Sequence, residues 1–297
     1  TAHIKDPLSK DILTRLDLPT KKEAFFQIHS PENSKTLARA KRRIVFEEFL
    51  LLQLSLLLRR DLHKKCNSPQ LNIGPKNNGL VGKFLDSLPF SLTEAQKRVL
   101  KEIESDIVKK EPMSRLLQGD VGSGKTVIAI SALLTAVQSG WQGAFMAPTE
   151  VLATQHFQTL SKWMPQLELN VDILTGSTSK ARRKQILTDL GNGSTNILVG
   201  THAIFEDPVV FERLGLVVVD EQHRFGVKQR NRLLNKGLQP HLLTMTATPI
   251  PRTLALTLHG DLDVSQLDEL PPGRTPINTQ LISPKDKKYA YDLIRSE

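Results

Sequence analysis

Residues 119–126, Gly-Asp-Val-Gly-Ser-Gly-Lys-Thr, satisfy the spacing G-x-x-x-x-G-K-[ST] at every fixed position. The pattern has physical meaning in one setting. A strand must run through a glycine-rich turn into a helix, so that backbone N–H groups and a helix N-terminus converge on a polyanion. The flanks supply that setting: Arg115–Gln118 reads as a short strand and Val127–Val137 (VIAISALLTAV) as a buried helix. Gly119, Gly122 and Gly124 allow the turn to close with its amides inward, those of Asp120, Val121 and Ser123 included. Lys125 is then expected to reach the β- and γ-phosphates of a nucleotide, and the Thr126 hydroxyl to ligate Mg²⁺.

Around this loop the pattern alternates. Strand-like runs at 143–147, 170–174, 196–200, 214–220 and 241–246 are separated by amphipathic stretches at 150–163, 179–190 and about 225–235. Apolar β-branched runs between such helices predict an α/β fold, a parallel sheet covered on both faces. The run Leu216–Val219 ends in Asp220-Glu221, at the edge where open α/β sheets place their ligands. Two carboxylates there suit nucleoside triphosphate hydrolysis. Asp220 is expected to hold Mg²⁺, and Glu221, aimed differently, to orient and deprotonate the attacking water.

The N-terminal part differs in kind. Two short helical stretches are followed by Ser30-Pro31, read as an N-cap and first-turn proline, and by a long helix with Leu37, Ile44, Leu51 and Leu58 at seven-residue spacing. That apolar stripe predicts packing against a partner element, and Arg39, Lys41, Arg42, Arg43, Arg59 and Arg60 at its two ends predict a solvated structural helix rather than a nucleic-acid helix. Residues 66–82, rich in Asn, Pro, Gly and Ser, read as a linker, which divides the chain into 1–65 (helical), 66–87 (linker), 88–271 (nucleotide-binding) and 272–297. Of the formal charge of +9, most lies before residue 89, where 16 Lys/Arg face 9 Asp/Glu, and such an excess suits a polyanionic partner. The single cysteine, Cys66, excludes an internal disulfide and a cysteine-rich zinc site, and it fits a reducing compartment. The longest apolar run, Phe49–Leu58, falls well short of the ~20 residues a membrane span needs. The chain starts without Met and stops in a helix-like run at Arg295-Ser296-Glu297, as expected of a fragment.

Seven stretches together resemble the motor of the RecG family, ATP-dependent DNA helicases of superfamily 2. They are LPFSLTEAQ (88–96), GDVGSGKT (119–126), MAPTEVLATQH (146–156), VGTHAIF (199–205), DEQHRFGVKQR (220–230), TMTATPIPRT (244–253) and DELPPGRTP (268–276). ARAKRRIVFEEFLLLQLSLLLRR (38–60) resembles the helical region ahead of that motor. The resemblance implies a RecA-like P-loop NTPase domain, ATP and Mg²⁺ as cofactors, and branched DNA as a sequence-independent partner in repair and recombination. It further implies a monomer in a prokaryotic cytoplasm, with a plastid as the alternative. Residue by residue, it makes Gln96 the adenine-contacting glutamine. Pro148, Thr149, Glu150, Thr201 and His202 become DNA-strand contacts, and His223, Thr246, Thr248 and Arg252 become groups that couple nucleotide state to the DNA grip. The family's wedge barrel and most of its second motor domain, with the arginine finger, are expected to lie outside residues 1–297.

Two other readings remain. The transcription-repair coupling translocase shares the TATPIPRT run, although Gln222 and PPGRTP fit the RecG family better. A nucleotide-gated interaction module would bind ATP without turnover, and a base at Glu221 argues against it.

Overall fold

Among the described residues seven strands form, the central ones where apolar residues cluster. They are β1 (Ser114–Gly119), β2 (Gln142–Met146), β3 (Val171–Leu174), β4 (Ile197–Gly200), β5 (Leu214–Val219), β6 (His241–Thr246) and β7 (Asp263–Leu267). In the computed structural model, which describes residues 5–74, 79–221, 238–248, 262–269 and 279–296, they pair in the order β3-β4-β2-β5-β6-β1-β7. Every pairing is parallel. In β5 every residue is buried, yet Leu216 and Val218 join one apolar layer while Val217 and Val219 join the other. The two-residue period of a strand therefore feeds two cores from one run, which is why a sheet covered on both faces shows no polar alternation.

Helices α1 (Lys10–Arg15), α2 (Lys21–His29), α3 (Ser34–Lys64), α4 (Leu80–Asp86), α5 (Glu94–Ile107), α6 (Lys125–Gln138), α7 (Glu150–Trp163) and α8 (Lys180–Gly191) complete the described architecture with a last helix at Lys287–Ser296. Helix α6 is buried without interruption from Ile128 to Ala136, as its all-round apolar sequence requires. It starts at the end of β1 and delivers the chain to β2, three places away in the sheet. The switch in strand order leaves a crevice at the carboxyl ends of the strands.

Several sequence expectations change. Helix α3 does not start at Ser30-Pro31; Ser30 closes α2. Asn33 caps α3 by accepting the Thr36 N–H at 2.9 Å, while the Thr36 hydroxyl accepts the Asn33 N–H at 3.2 Å, a reciprocal cap that Ser30 cannot match. The apolar stripe is only half used. Phe46 and Leu50 pack with Leu8, Leu13 and Leu18, but the short α1 and α2 reach no further, and Leu51 and Leu58 are 56% and 64% exposed. Nor are all the cations solvated: Arg43 is buried between Asp6 (2.7 Å) and Glu47 (2.6 Å). No described helix is long and apolar enough to cross a membrane.

Of residues 66–87, read as a linker, the described parts 66–74 and 79–87 are built into the sheet domain. The Ser68 and Leu71 N–H groups donate to the carbonyls of Lys110 and Ile107 at 2.8 and 3.0 Å, and Leu71 and Phe84 are buried. Proline, asparagine and glycine here mark irregular backbone, and irregular backbone packs well once its hydrogen bonds are met. Strand β7 escaped sequence reading because it is an edge strand, paired only with β1, in which just Ser265 and Leu267 are buried. The helix expected near 225–235 and the segment Gly273–Pro276 lie outside the described residues.

A fully buried histidine locks the 66–74 segment to the sheet. His241 Nδ1 accepts the Met113 N–H at 2.9 Å, and its Nε2–H donates to the Pro69 carbonyl at 2.7 Å. Burial pushes its pKa below the ordinary 6.5, against weaker opposing effects of the Pro69 hydrogen bond and the Asp106 charge. The folded chain thus keeps the ring neutral where the unfolded chain protonates it. The resulting stabilisation is complete above pH 6.5 and is lost as pH falls from there through the lowered folded value. Denaturant titrations at stepped pH should show this loss. His241→Ala should flatten it and cost roughly 1–3 kcal/mol for each of the two backbone groups left unpaired.

Candidate nucleotide and DNA site

All the described candidate residues except Gln96 lie at the carboxyl edge of the sheet, and strand order sorts them. β5, β6 and β1 are neighbours, and they end in Asp220-Glu221, in Thr246-Ala247-Thr248 and in the phosphate loop. β3, β4 and β2 end in Thr175, in Thr201-His202 and in Ala147-Pro148-Thr149. The nucleotide residues occupy one half of the edge and the expected DNA residues the other. His223 and Arg252 lie outside the described residues.

The phosphate loop takes its shape from two glycines. Gly122 and Gly124 have φ of 78° and 90°, the left-handed region where a Cβ is strained. A Cβ on Gly124 would also sit 2.2 Å from Gln96 Nε2. Lys125 Nζ folds over the loop and donates to the Gly119 and Asp120 carbonyls at 2.6 and 2.9 Å. Burial lowers its pKa, opposed by the charges of Asp220, Glu221 and Asp120, so both carboxylates of the β5 end act on the lysine of the β1 end. Ser123 Oγ is buried there with no hydrogen-bond partner. An orphaned hydroxyl, a turn shaped by left-handed glycines and a lysine held by carbonyls fit a polyphosphate, and the Thr126 hydroxyl with the Asp220 carboxylate is the hard oxygen set that suits Mg²⁺.

At the end of β5 the two acids diverge. Asp220 Oδ1 accepts the Glu221 N–H at 3.1 Å, and the Asp220 N–H donates to the Met146 carbonyl at 2.8 Å. Glu221 has φ of 50°, unusual for a residue with a side chain, so the backbone turns sharply directly after Asp220. The other Asp220 oxygen, Oδ2, meets His156 Nε2 of α7 at 2.8 Å. Sequence reasoning passed over His156, because it shares a buried stripe with Ala153 and Leu160 and so reads as a core position. The available signal was the stripe itself: an imidazole on an apolar face must find a polar partner.

The DNA half is more varied. Thr149 caps α7 by accepting the Leu152 N–H at 3.3 Å, and Pro148, Thr149, Glu150 and His202 border solvent. Glu150 already has partners, the Ser177 N–H and hydroxyl at 3.1 and 2.7 Å, so it braces the 175–178 loop against α7. Those loop hydroxyls were also missed from sequence. Thr201 is 2% exposed with its hydroxyl unpartnered, which corrects its expected place on a DNA-facing surface: the Gly200–Thr201 backbone turns the side chain inward. Thr246 is likewise buried, and its hydroxyl meets that of the exposed Thr248 at 2.6 Å.

Gln96 also stands differently from the expectation. It is buried, its Oε1 accepts the Thr93 N–H at 2.9 Å, and its Nε2 donates to the Ser123 carbonyl at 2.9 Å. Both ends of the amide are engaged in fastening α5 to the phosphate loop, and adenine would have to displace those bonds. Gln96→Ala should therefore weaken binding of inorganic tripolyphosphate as well as ATP, by several-fold in a competition titration. A change confined to ATP-over-GTP preference would assign the amide to the base.

Comparison with known proteins agrees with this geometry. The DEAD/DEAH box helicase family model matches residues 93–257, more than half of the chain. A Synechocystis protein named ATP-dependent DNA helicase RecG is 55% identical over 296 residues, covering 100% of this chain and 35% of that protein. The Bacillus subtilis protein of the same name is 48% identical over 276 residues, covering 93% of this chain and 40% of its own length. A solved structure of RecG bound to a three-way DNA junction superposes with a TM-score of 0.86 at 40% identity, over 98% of this chain and 39% of that one. The chain thus spans little more than a third of the length of the relatives it matches. It belongs to the DEAD/DEAH box helicase family and, within it, to the RecG group.

Proposed function

We propose that the chain is the ATP-binding motor half of a RecG-type DNA helicase that acts on branched DNA in repair and recombination. The observation that carries this reading is the convergence of the phosphate loop, the Asp220-Glu221 pair and the Thr246–Thr248 turn on three adjacent strand ends, with expected DNA contacts on the neighbouring three. Branched DNA as the substrate is drawn from the similar RecG structure bound to a three-way junction.

When bound, Mg²⁺·ATP supplies the reacting phosphate and the cation that offsets its charge. The chain's own groups do the rest. The 119–124 amides and Lys125 hold and orient the phosphates, and Lys125 exchanges its bonds to the Gly119 and Asp120 carbonyls for phosphate oxygens. Thr126 and Asp220 hold the metal. Glu221, with its left-handed backbone, would orient a water and take its proton as the water oxygen bonds to the γ-phosphorus and the bond from that phosphorus to the β–γ bridging oxygen breaks, with ADP as the leaving group. On the DNA half, the α7 N-terminus with Thr149, together with the backbone at His202, offers amides and a hydroxyl to a phosphate backbone, contacts that position a strand without reading its sequence.

Two outcomes test the reading. Lys125→Ala should lower ATP affinity at least ~10-fold by nucleotide titration, the scale of a lost charge-assisted contact, whereas Glu221→Gln should keep the affinity and abolish turnover; equal affinities for wild type and Lys125→Ala would remove the site. DNA binding should weaken at least ~10-fold between about 50 and 200 mM salt and should ignore base sequence. Binding to a three-way junction that is no tighter than to linear duplex would speak against the branched substrate.

A further inference from the structure

Helix α7 carries one polar group on its buried face. Ala153, His156 and Leu160 form the stripe that meets the sheet, and of these only the histidine has hydrogen-bonding capacity in its side chain. The ring lies against Phe145 of β2, with centroids 4.3 Å apart, and is 9% exposed. Its Nε2 is 2.8 Å from Asp220 Oδ2. An ionised carboxylate only accepts, so the proton of this hydrogen bond sits on Nε2.

Asp220 is thereby held at both oxygens, Oδ1 by the Glu221 N–H and Oδ2 by His156. The two donors come from different places. The first belongs to the same turn and moves with it, while the second is fixed to a 14-residue helix packed on β3 and β4. Without His156 the carboxylate would keep only a hydrogen bond to its sequence neighbour, which leaves its χ angles free to swing about that contact.

We infer that His156 is a positioning residue for the metal-binding carboxylate, which sets the orientation of Asp220 through the Nε2–H···Oδ2 hydrogen bond and ties it to the body of α7. The inference rests on the reading of Asp220 as a metal ligand given above. A hydrogen-bonding partner behind a ligating carboxylate typically changes metal affinity by ~10- to 100-fold. The effect lies in the metal and not in the nucleotide, because the described side-chain contacts of His156 are with Asp220 and Phe145 rather than with the phosphate loop.

The test uses the 297-residue chain with Mn²⁺ as a paramagnetic probe. Free and bound Mn²⁺ are measured by electron paramagnetic resonance at saturating ATP analogue, and nucleotide affinity is measured separately in EDTA with a fluorescent analogue. The variants are His156→Leu, which removes the donor; His156→Asn, which keeps polarity but shortens the reach; His156→Gln, whose amide places an N–H near the Nε2 position; and Asp220→Ala. The expected result is a ~10-fold or greater loss of Mn²⁺ affinity in His156→Leu and His156→Asn, most of it regained in His156→Gln, with nucleotide affinity in EDTA equal to wild type in all three histidine variants. Should the leucine variant fail to fold, the asparagine and glutamine pair carries the comparison. Wild-type Mn²⁺ affinity in His156→Asn, alongside a loss in Asp220→Ala, would overturn the role of His156. A glutamine variant no better than the asparagine one would overturn it too, leaving ring packing on Phe145 as the function of the histidine. Wild-type Mn²⁺ affinity in Asp220→Ala would instead overturn the metal reading of Asp220 itself.

Discussion

Burial of the central sheet on both faces is the constraint from which the rest of the molecule follows. In β2, β4, β5 and β6 no residue reaches solvent, so neither face can host charged or catalytic groups. Polar chemistry is confined to the strand ends, and the parallel arrangement puts all the carboxyl ends on one edge. Seven strands therefore present their following loops in a row, and the order β3-β4-β2-β5-β6-β1-β7 decides which loops are neighbours. Asp220 stands across β6 from the phosphate loop because of that order, although a hundred residues separate them in the chain.

Within this row the phosphate loop is built before any ligand arrives. Its turn is set by left-handed glycines and by the Ser123 N–H donating to the Asp120 carbonyl, its lysine is held by two carbonyls, and Gln96 braces it from α5. Such an arrangement limits the ordering cost of binding, since few groups must be fixed when phosphate enters. Partial burial lowers the pKa of Lys125, yet three nearby carboxylates oppose that shift. The site thus supplies the lysine with its own counter-charges, and two of the three carboxylates, those of Asp220 and Glu221, are the groups proposed for metal and water.

Legibility in the sequence followed the physics of each segment. Strands β2, β5 and β6 were readable within a residue or so, because doubly buried strands leave an unbroken apolar signature; β7, with Ser265 and Leu267 as its buried positions, has none. The phosphate loop was readable because its backbone geometry demands glycine at fixed places. Residues 66–74 were misread, since composition reports how regular a backbone is and not whether it is packed; His241 holds them from a position far along the chain. The stripe of α3 failed in the opposite sense. Period alone shows that a helix has an apolar face, while Leu51 and Leu58 stay exposed because no described element extends far enough to meet them. His156 and the inward Thr201 illustrate the remaining gap, for the partner of a buried polar side chain is set by tertiary geometry that no local pattern encodes.

The proposed division of the edge into a nucleotide half and a DNA half raises the question of what joins them. Strands β2 and β5 are adjacent, with Met146 paired to Val219, so the boundary runs between the loop that leads into α7 and the turn that carries Asp220. Among the described residues, two hydrogen bonds of Asp220 cross it. The Asp220 N–H donates to the Met146 carbonyl, and His156 holds the Asp220 carboxylate. Helix α7 touches both halves, with its N-terminus braced by Glu150 against the 175–178 loop and its second turn bearing the histidine. A helix moves nearly as a rigid body, because displacing one turn alone would break its i to i−4 bonds. A strand phosphate that shifts the α7 N-terminus must therefore shift His156, and a change of charge at Asp220 must act back on the same helix. Reciprocity of this kind is what thermodynamic linkage demands of any two coupled sites, and here it needs no longer path than two turns of one helix.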